Sequence, residues 1–185
     1  MYSDFEIDYI RFNHNAHTSD LLCMLRIIKN YELRVIWILR KYQHSNGLFN
    51  KIWKTFLLSF KRKYGIEIVC KHIGSGLRLI HPYGITVNSH AQLGKNVTLY
   101  KGVTIGLIEN GDKAGNPTIE DNVTIYANAT VCGNIHIGSN SVIASNAFVN
   151  FDVPPNSVVI GNPGIIHHKD DEKRNSLLKN NIERR

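Results

Sequence analysis

The feature that most constrains this chain is a period of six residues running from Gly65 to about Ile166. Ile73, Leu79, Ile85, Ala91, Val97 and Val103 fall six apart, and two residues later a second column reads Ser75, His81, Val87, Leu93, Leu99 and Ile105. After an interruption both columns resume, one through Val123, Ala129, Ile135, Ser141 and Ala147, the other through Ile119, Ile125, Val131, Ile137, Ile143 and Val149. Asn122, Asn128, Asn134, Asn140 and Asn146 lie three residues past that second column, and Gly84, His90, Asn96 and Gly102 take the equivalent places earlier. Gly, Asn and, less strongly, His are the residues that tolerate positive φ. Each unit therefore reads as a short strand with two inward residues, followed by a tight turn. Three such units close a triangular coil, and stacked coils bury a continuous ladder of aliphatics. The expected fold is mainly β, a parallel β-helix.

The interruption is informative. Ile105 to Ile119 spans fourteen residues, eight more than one step of the repeat, so residues 106–116 read as a loop extruded from one corner. Loops carried on a rigid scaffold commonly hold function. Ahead of the repeat, residues 1–64 read as an α-helical region: Leu21–Ile28, Leu33–Arg40 and Leu48–Phe60 space apolar residues three and four apart, with His44-Ser45-Asn46-Gly47 as a turn. The repeat domain occupies residues 65–166, and residues 167–185 form a charged C-terminal tail.

Charge is lopsided between these regions. Residues 1–64 hold eleven Lys and Arg against five Asp and Glu, and residues 65–185 hold eleven against ten. A pI near 9.4 invites a nucleic-acid reading, but the excess is local and no recognition motif accompanies it, so no nucleic-acid partner is expected. Basic amphipathic helices can instead rest on an anionic membrane surface, or simply cover a core. No apolar run is long enough to span a bilayer, and the start Met1-Tyr2-Ser3-Asp4-Phe5-Glu6 lacks a secretory h-region. Three widely spaced cysteines, Cys23, Cys70 and Cys132, fit a reducing cytoplasm better than a disulfide scaffold.

His81 stands where its column otherwise turns aliphatic, and violations of a local rule tend to mark functional sites. The alternative is a coil edge, since Ser75 in the same column is also polar. His72 and His90 occupy the turn column, and His136 lies on a strand between inward positions. No close histidine pair suggests a zinc site, so no metal is expected.

With the hexapeptide columns, the histidine and the extruded loop in hand, residues 65–166 resemble the serine acetyltransferases of the left-handed β-helix acyltransferase superfamily. The matching stretches include Gly65-Ile66-Glu67-Ile68, Ile73-Gly74-Ser75-Gly76-Leu77, His81-Pro82-Tyr83-Gly84-Ile85, Gly133-Asn134-Ile135 and Gly161-Asn162-Pro163. The resemblance implies a left-handed coil and a homotrimer whose active sites lie between subunits. It also implies acetyl transfer from acetyl-CoA to the hydroxyl of L-serine, toward cysteine biosynthesis. His81 matches the family's general base and Glu67 the acid that orients it, although the segment from Glu67 to Ile73 is one residue shorter than in the family. Gly106, Ala127 and Ser145 match contacts to the pantetheine arm of CoA, and Lys169 is the basic residue past the last coil for its phosphates.

Two positions depart from the family pattern. Its aspartate before the histidine is Ile80 here, and its Arg-His-Pro at the loop's end is Gly115-Asn116-Pro117. An ammonium and a carboxylate on the acceptor would each lose a partner. A sugar hydroxyl in surface-polysaccharide synthesis is therefore the alternative acceptor, and a non-catalytic trimeric scaffold the alternative of a different class.

Overall fold

The computed structural model describes residues 3–13 and 20–168. Four helices precede the β region: α1 (Asp4–Asn13), α2 (Asp20–Lys29), α3 (Tyr31–Gln43) and α4 (Gly47–Tyr64). Helix α3 starts where Asn30 caps it, its Oδ1 accepting from the backbone N–H of Glu32 at 2.9 Å and of Leu33 at 3.4 Å. It buries Leu33, Val35, Ile36, Leu39 and Tyr42. Helix α4 ends at Gly65, whose φ of 67° lets the chain turn away into the first strand.

The remainder is a parallel β-solenoid of five coils. The first comprises β1 (Glu67–Ile68), β2 (His72–Ile73) and β3 (Arg78–Ile80), and the second β4 (Thr86–Val87), β5 (Gln92–Leu93) and β6 (Thr98–Tyr100). The third holds β7 (Thr104–Gly106), β8 (Thr118–Ile119) and β9 (Thr124–Ile125); the fourth, β10 (Thr130–Cys132), β11 (His136–Ile137) and β12 (Val142–Ile143). In the fifth, β13 (Phe148–Val149) and β14 (Ser157–Ile160) flank Val153, which bridges to Ile137, and β15 (Ile165–His168) returns antiparallel to β14. That return strand runs through His168, so His167 and His168 belong to the sheet and not to a tail.

Corresponding strands stack into three faces, ordered β1-β4-β7-β10-β13, β2-β5-β8-β11 and β3-β6-β9-β12-β14-β15. Each face contributes one inward row to the core: Ile68, Val87, Ile105, Val131 and Val149 on the first; Ile73, Leu93, Ile119 and Ile137 on the second; Leu79, Leu99, Ile125, Ile143 and Val159 on the third. Each of these side chains contributes about 1.5–3 kcal/mol by leaving water. At the corners, Asn96, Asn122, Asn128, Asn140, Asn146 and Asn156 hold φ between 57° and 61°. Asn134 does not join them, because Gly133, at φ 93°, takes the left-handed place beneath the extruded loop. Nor does His90.

The first coil departs from the expected columns. Ile73 pairs with Leu93, and Leu79 with Leu99. Both therefore belong to the column of Val87, Leu93, Leu99 and Ile105 rather than to that of Ile85 and Val103. One residue is missing between Ile68 and Ile73, and two are added after β3, so the six-residue spacing survives there while its phase shifts.

The helices are fastened to this coil by a buried ion pair. Arg40 on α3 meets Asp8 on α1 through Nε at 2.7 Å and Nη2 at 3.0 Å, and donates also to the carbonyls of Ile73 and Gly74. Asp8 in turn accepts from the Leu77 N–H at 2.7 Å. Burial pushes the Asp8 carboxyl up despite the pull of Arg40.

Candidate active site

The two added residues of the first coil are His81 and Pro82. Ile80 stands opposite Tyr100, and the Tyr83 carbonyl accepts from the Gly102 N–H at 2.7 Å. Five residues, Ile80 to Gly84, thus turn the corner that Tyr100, Lys101 and Gly102 turn in the next coil. His81 takes φ 47°, and its carbonyl accepts from the Tyr83 N–H at 2.7 Å, so the surplus folds into a tight bulge. The imidazole leaves the solenoid: its side chain is 77% exposed. His81 is therefore an edge residue, not an inward one, and its polarity breaks no packing rule. What singles it out is a strained backbone on an insertion, where L-residues settle only when the surroundings hold them.

The Glu67 carboxylate lies 2.7 Å from Lys61 Nζ on the last turn of α4, and no ion pair joins it to His81. Glu67 sits on β1 of the first face, one margin of which is the His81 corner, and the group its carboxylate meets there is the Lys61 cation from α4. The carboxylate beside His81 belongs to Glu32, whose Oε1 stands 3.9 Å from Nδ1. Glu32 occupies the first turn of α3, with its side chain 16% exposed. Neighbouring Tyr31 stacks on Tyr64 at 5.1 Å and leans on Tyr83 at 5.5 Å between ring centroids. Burial, then a hydrogen bond with Tyr83, pushes the Tyr31 phenol well up. The sequence offers an Asn at position 30 that can cap a helix beginning there, but no spacing ties such a cap to His81.

Below His81 the same corner repeats down the solenoid. The Gly102 N–H bonds the Tyr83 carbonyl, the Asn128 N–H that of Lys101, and the Asn146 N–H that of Ala127. Ala127 and Ser145 therefore share the edge of His81, with Ser145 three coils away, about 14 Å at ordinary strand spacing. Tyr100 and Tyr126 pack beside this edge with tilted rings, 4.7 Å between centroids. Gly106 ends β7 at the opposite margin of the first face, where the extruded loop departs. Lys169 lies outside the described residues.

The extruded loop closes on itself and rests on the corner of the next coil. Ile108 and Gly115 exchange N–H···O bonds at 3.1 and 2.8 Å, and the Lys113 carbonyl accepts from Asn134 N–H at 2.9 Å. At its end, Asn116 buries an Oδ1 with no partner. His72 and His136 point outward from the second face. Among the described residues no group of His, Cys, Asp and Glu is arranged to hold a metal. A cavity of about 670 Å³ lies among Phe5, Trp37, Phe49 and Trp53, and one of about 410 Å³ lies on the second face. Neither includes His81, which stands on an open edge.

Comparison with known proteins agrees with this architecture. Residues 116–150 match the bacterial transferase hexapeptide family of six repeats. Serine acetyltransferase 2 of Arabidopsis thaliana is 33% identical over 146 residues, covering 75% of this chain and 45% of its own. Serine acetyltransferase of Staphylococcus xylosus is 40% identical over 110 residues, covering 59% and 51%. The chain thus spans about half the length of these curated relatives. The crystal structure of Neisseria gonorrhoeae serine acetyltransferase in complex with serine superposes with a TM-score of 0.71 at 30% identity, over 87% of this chain and 66% of that one.

Proposed function

We propose that this chain, a hexapeptide-repeat relative of the serine acetyltransferases, moves an acetyl group from acetyl-CoA to the hydroxyl of L-serine, with His81 as general base. The observation that carries the reading is the His81-Pro82 bulge. It spends backbone strain to hold an imidazole off an otherwise regular edge, and the relatives supply a reaction that needs such a group. Imidazole titrates near neutral pH, so its Nε2 can take the hydroxyl proton as the oxygen attacks the thioester carbon. The C–S bond then breaks, and the CoA thiolate recovers the proton from the imidazolium.

Acetyl-CoA is the co-substrate, and we place its pantetheine arm along the edge that carries Ala127 and Ser145, with Gly106 approached from a neighbouring subunit. An exposed His81 with no cavity around it favours a homotrimer, in which a second copy walls the site. Free Cys70 and Cys132 favour the cytoplasm.

One observation favours a sugar acceptor instead. Helix α4 exposes Leu48, Phe49, Ile52 and Phe56 along one stripe, and carries Lys51, Lys54, Lys61, Arg62 and Lys63 with no acid. Such a face suits an anionic membrane surface, where precursors of surface polysaccharides are built. Ile80 and Asn116 offer neither charge that a free amino acid would meet.

The test is thiol release from acetyl-CoA with L-serine and with a panel of sugars. Serine-dependent release that falls about 10²–10⁴-fold in His81→Ala is the expected result. Release with sugars alone would move the acceptor to the second reading, and unchanged turnover in His81→Ala would overturn the assignment of the base.

A further inference from the structure

We infer that Glu32 is the positioning residue for His81, an inference that rests on the acetyl-transfer reading and assigns the orienting carboxylate to the helical region instead of the coil. Three observations converge. The Glu32 carboxylate is the acid facing the imidazole, with Oε1 3.9 Å from Nδ1. It is held from behind, since the Asn30 cap fixes its backbone N–H at 2.9 Å and Tyr31 fastens the same helical turn to Tyr64 and Tyr83. It is also shielded, with a side chain 16% exposed against 77% for His81. The anion therefore stays fixed while the imidazole remains open to substrate.

The geometry sets the division of labour between the ring nitrogens. Nδ1 faces the carboxylate and carries the proton, which leaves Nε2 unprotonated toward solvent to accept one from a hydroxyl. At 3.9 Å the pair is an ion-pair contact, and a small rotation of either side chain closes it to a hydrogen bond. That contact strengthens when His81 becomes imidazolium, the moment at which the oxygen–carbon bond forms. Position on the first turn of α3 further favours a carboxylate over a neutral side chain.

Two measurements separate this inference from the reading beneath it. In ring-nitrogen NMR of the full chain, His81 should show Nδ1–H as the main neutral tautomer, and Glu32→Gln should shift the population toward Nε2–H. An unchanged tautomer ratio overturns the inference whether or not acetyl transfer is observed. In the thiol-release assay, Glu32→Gln should lower kcat about 10–100-fold with KM for acetyl-CoA unchanged, from loss of one partly shielded charge pair. Glu32→Asp, which keeps the charge, should recover part of it. The double variant with His81→Ala should be no slower than His81→Ala alone, because Glu32 acts through the ring. A raised KM for L-serine with kcat intact would make Glu32 an acceptor contact and overturn the positioning role. Absence of thiol release with every acceptor would sink the acetyl-transfer reading while the tautomer result still stands.

Discussion

Replacing Asp8 with Ala should unseat the helices from the solenoid. In the folded chain Arg40 is 4% exposed and the Asp8 side chain 0%, so the change leaves a guanidinium charge buried without its anion. Three accepted bonds vanish: two from Arg40, at 2.7 and 3.0 Å, and one from the Leu77 N–H at 2.7 Å. Breaking a buried pair by removing one partner costs about 3–5 kcal/mol. The Leu77 donor, left without an acceptor, adds about 1–3 kcal/mol. Arg40 keeps the carbonyls of Ile73 and Gly74 and the side chain of Gln43, which limits the loss. A total of about 4–6 kcal/mol is expected, or about 10–20 °C in Tm for a chain of this length. Asp8→Asn should cost less, because its remaining oxygen still accepts from Leu77. Urea unfolding followed by circular dichroism, at fixed protein concentration, measures both variants. A shift below about 1 kcal/mol for Asp8→Ala, with an unchanged m value, would show that apolar packing alone fastens α1 and α3 to the first coil.

Three further substitutions probe the corners and the loop. Asn128→Val should destabilise by about 1–2 kcal/mol, since Asn128 sits at φ 59° and a β-branched residue resists that conformation; Asn134→Val escapes this strain, and equal losses in the two would refute the backbone argument. Gly133→Ala should loosen the extruded loop, because φ is 93° and an added Cβ would fall 2.9 Å from both Ile108 Cδ1 and the Lys113 carbonyl. Faster tryptic cleavage at Lys113 is the expected sign, and an unchanged rate would mean that the loop does not rest on that corner.

The period of six was enough to read the coils, their inward rows from Val87 onward and the span of the extruded loop, because each corner repeats one backbone demand. It misled at the first coil. Ile73 and Leu79 are apolar and six residues from Ile85 in series, and the two residues inserted after β3 equal the separation of the two inward columns, so spacing alone cannot tell which column they belong to. The same shift changes why His81 stands out. It was singled out as a polar residue in an aliphatic column, whereas the structure places it on a bulge with its side chain free of the core. Its partner was less legible still. Glu67 lies in the coil and was within reach of a linear comparison, but Lys61 holds it. Glu32 reaches His81 because α3 is seated on the first coil, by the Asp8–Arg40 pair and by Tyr31 against Tyr64 and Tyr83, and nothing in the spacing of residues 32 and 81 encodes that contact. The candidate site is thus a product of docking between two regions. On this account Asp8→Ala, far from the acceptor, should weaken the tie between Glu32 and His81 as well as the fold.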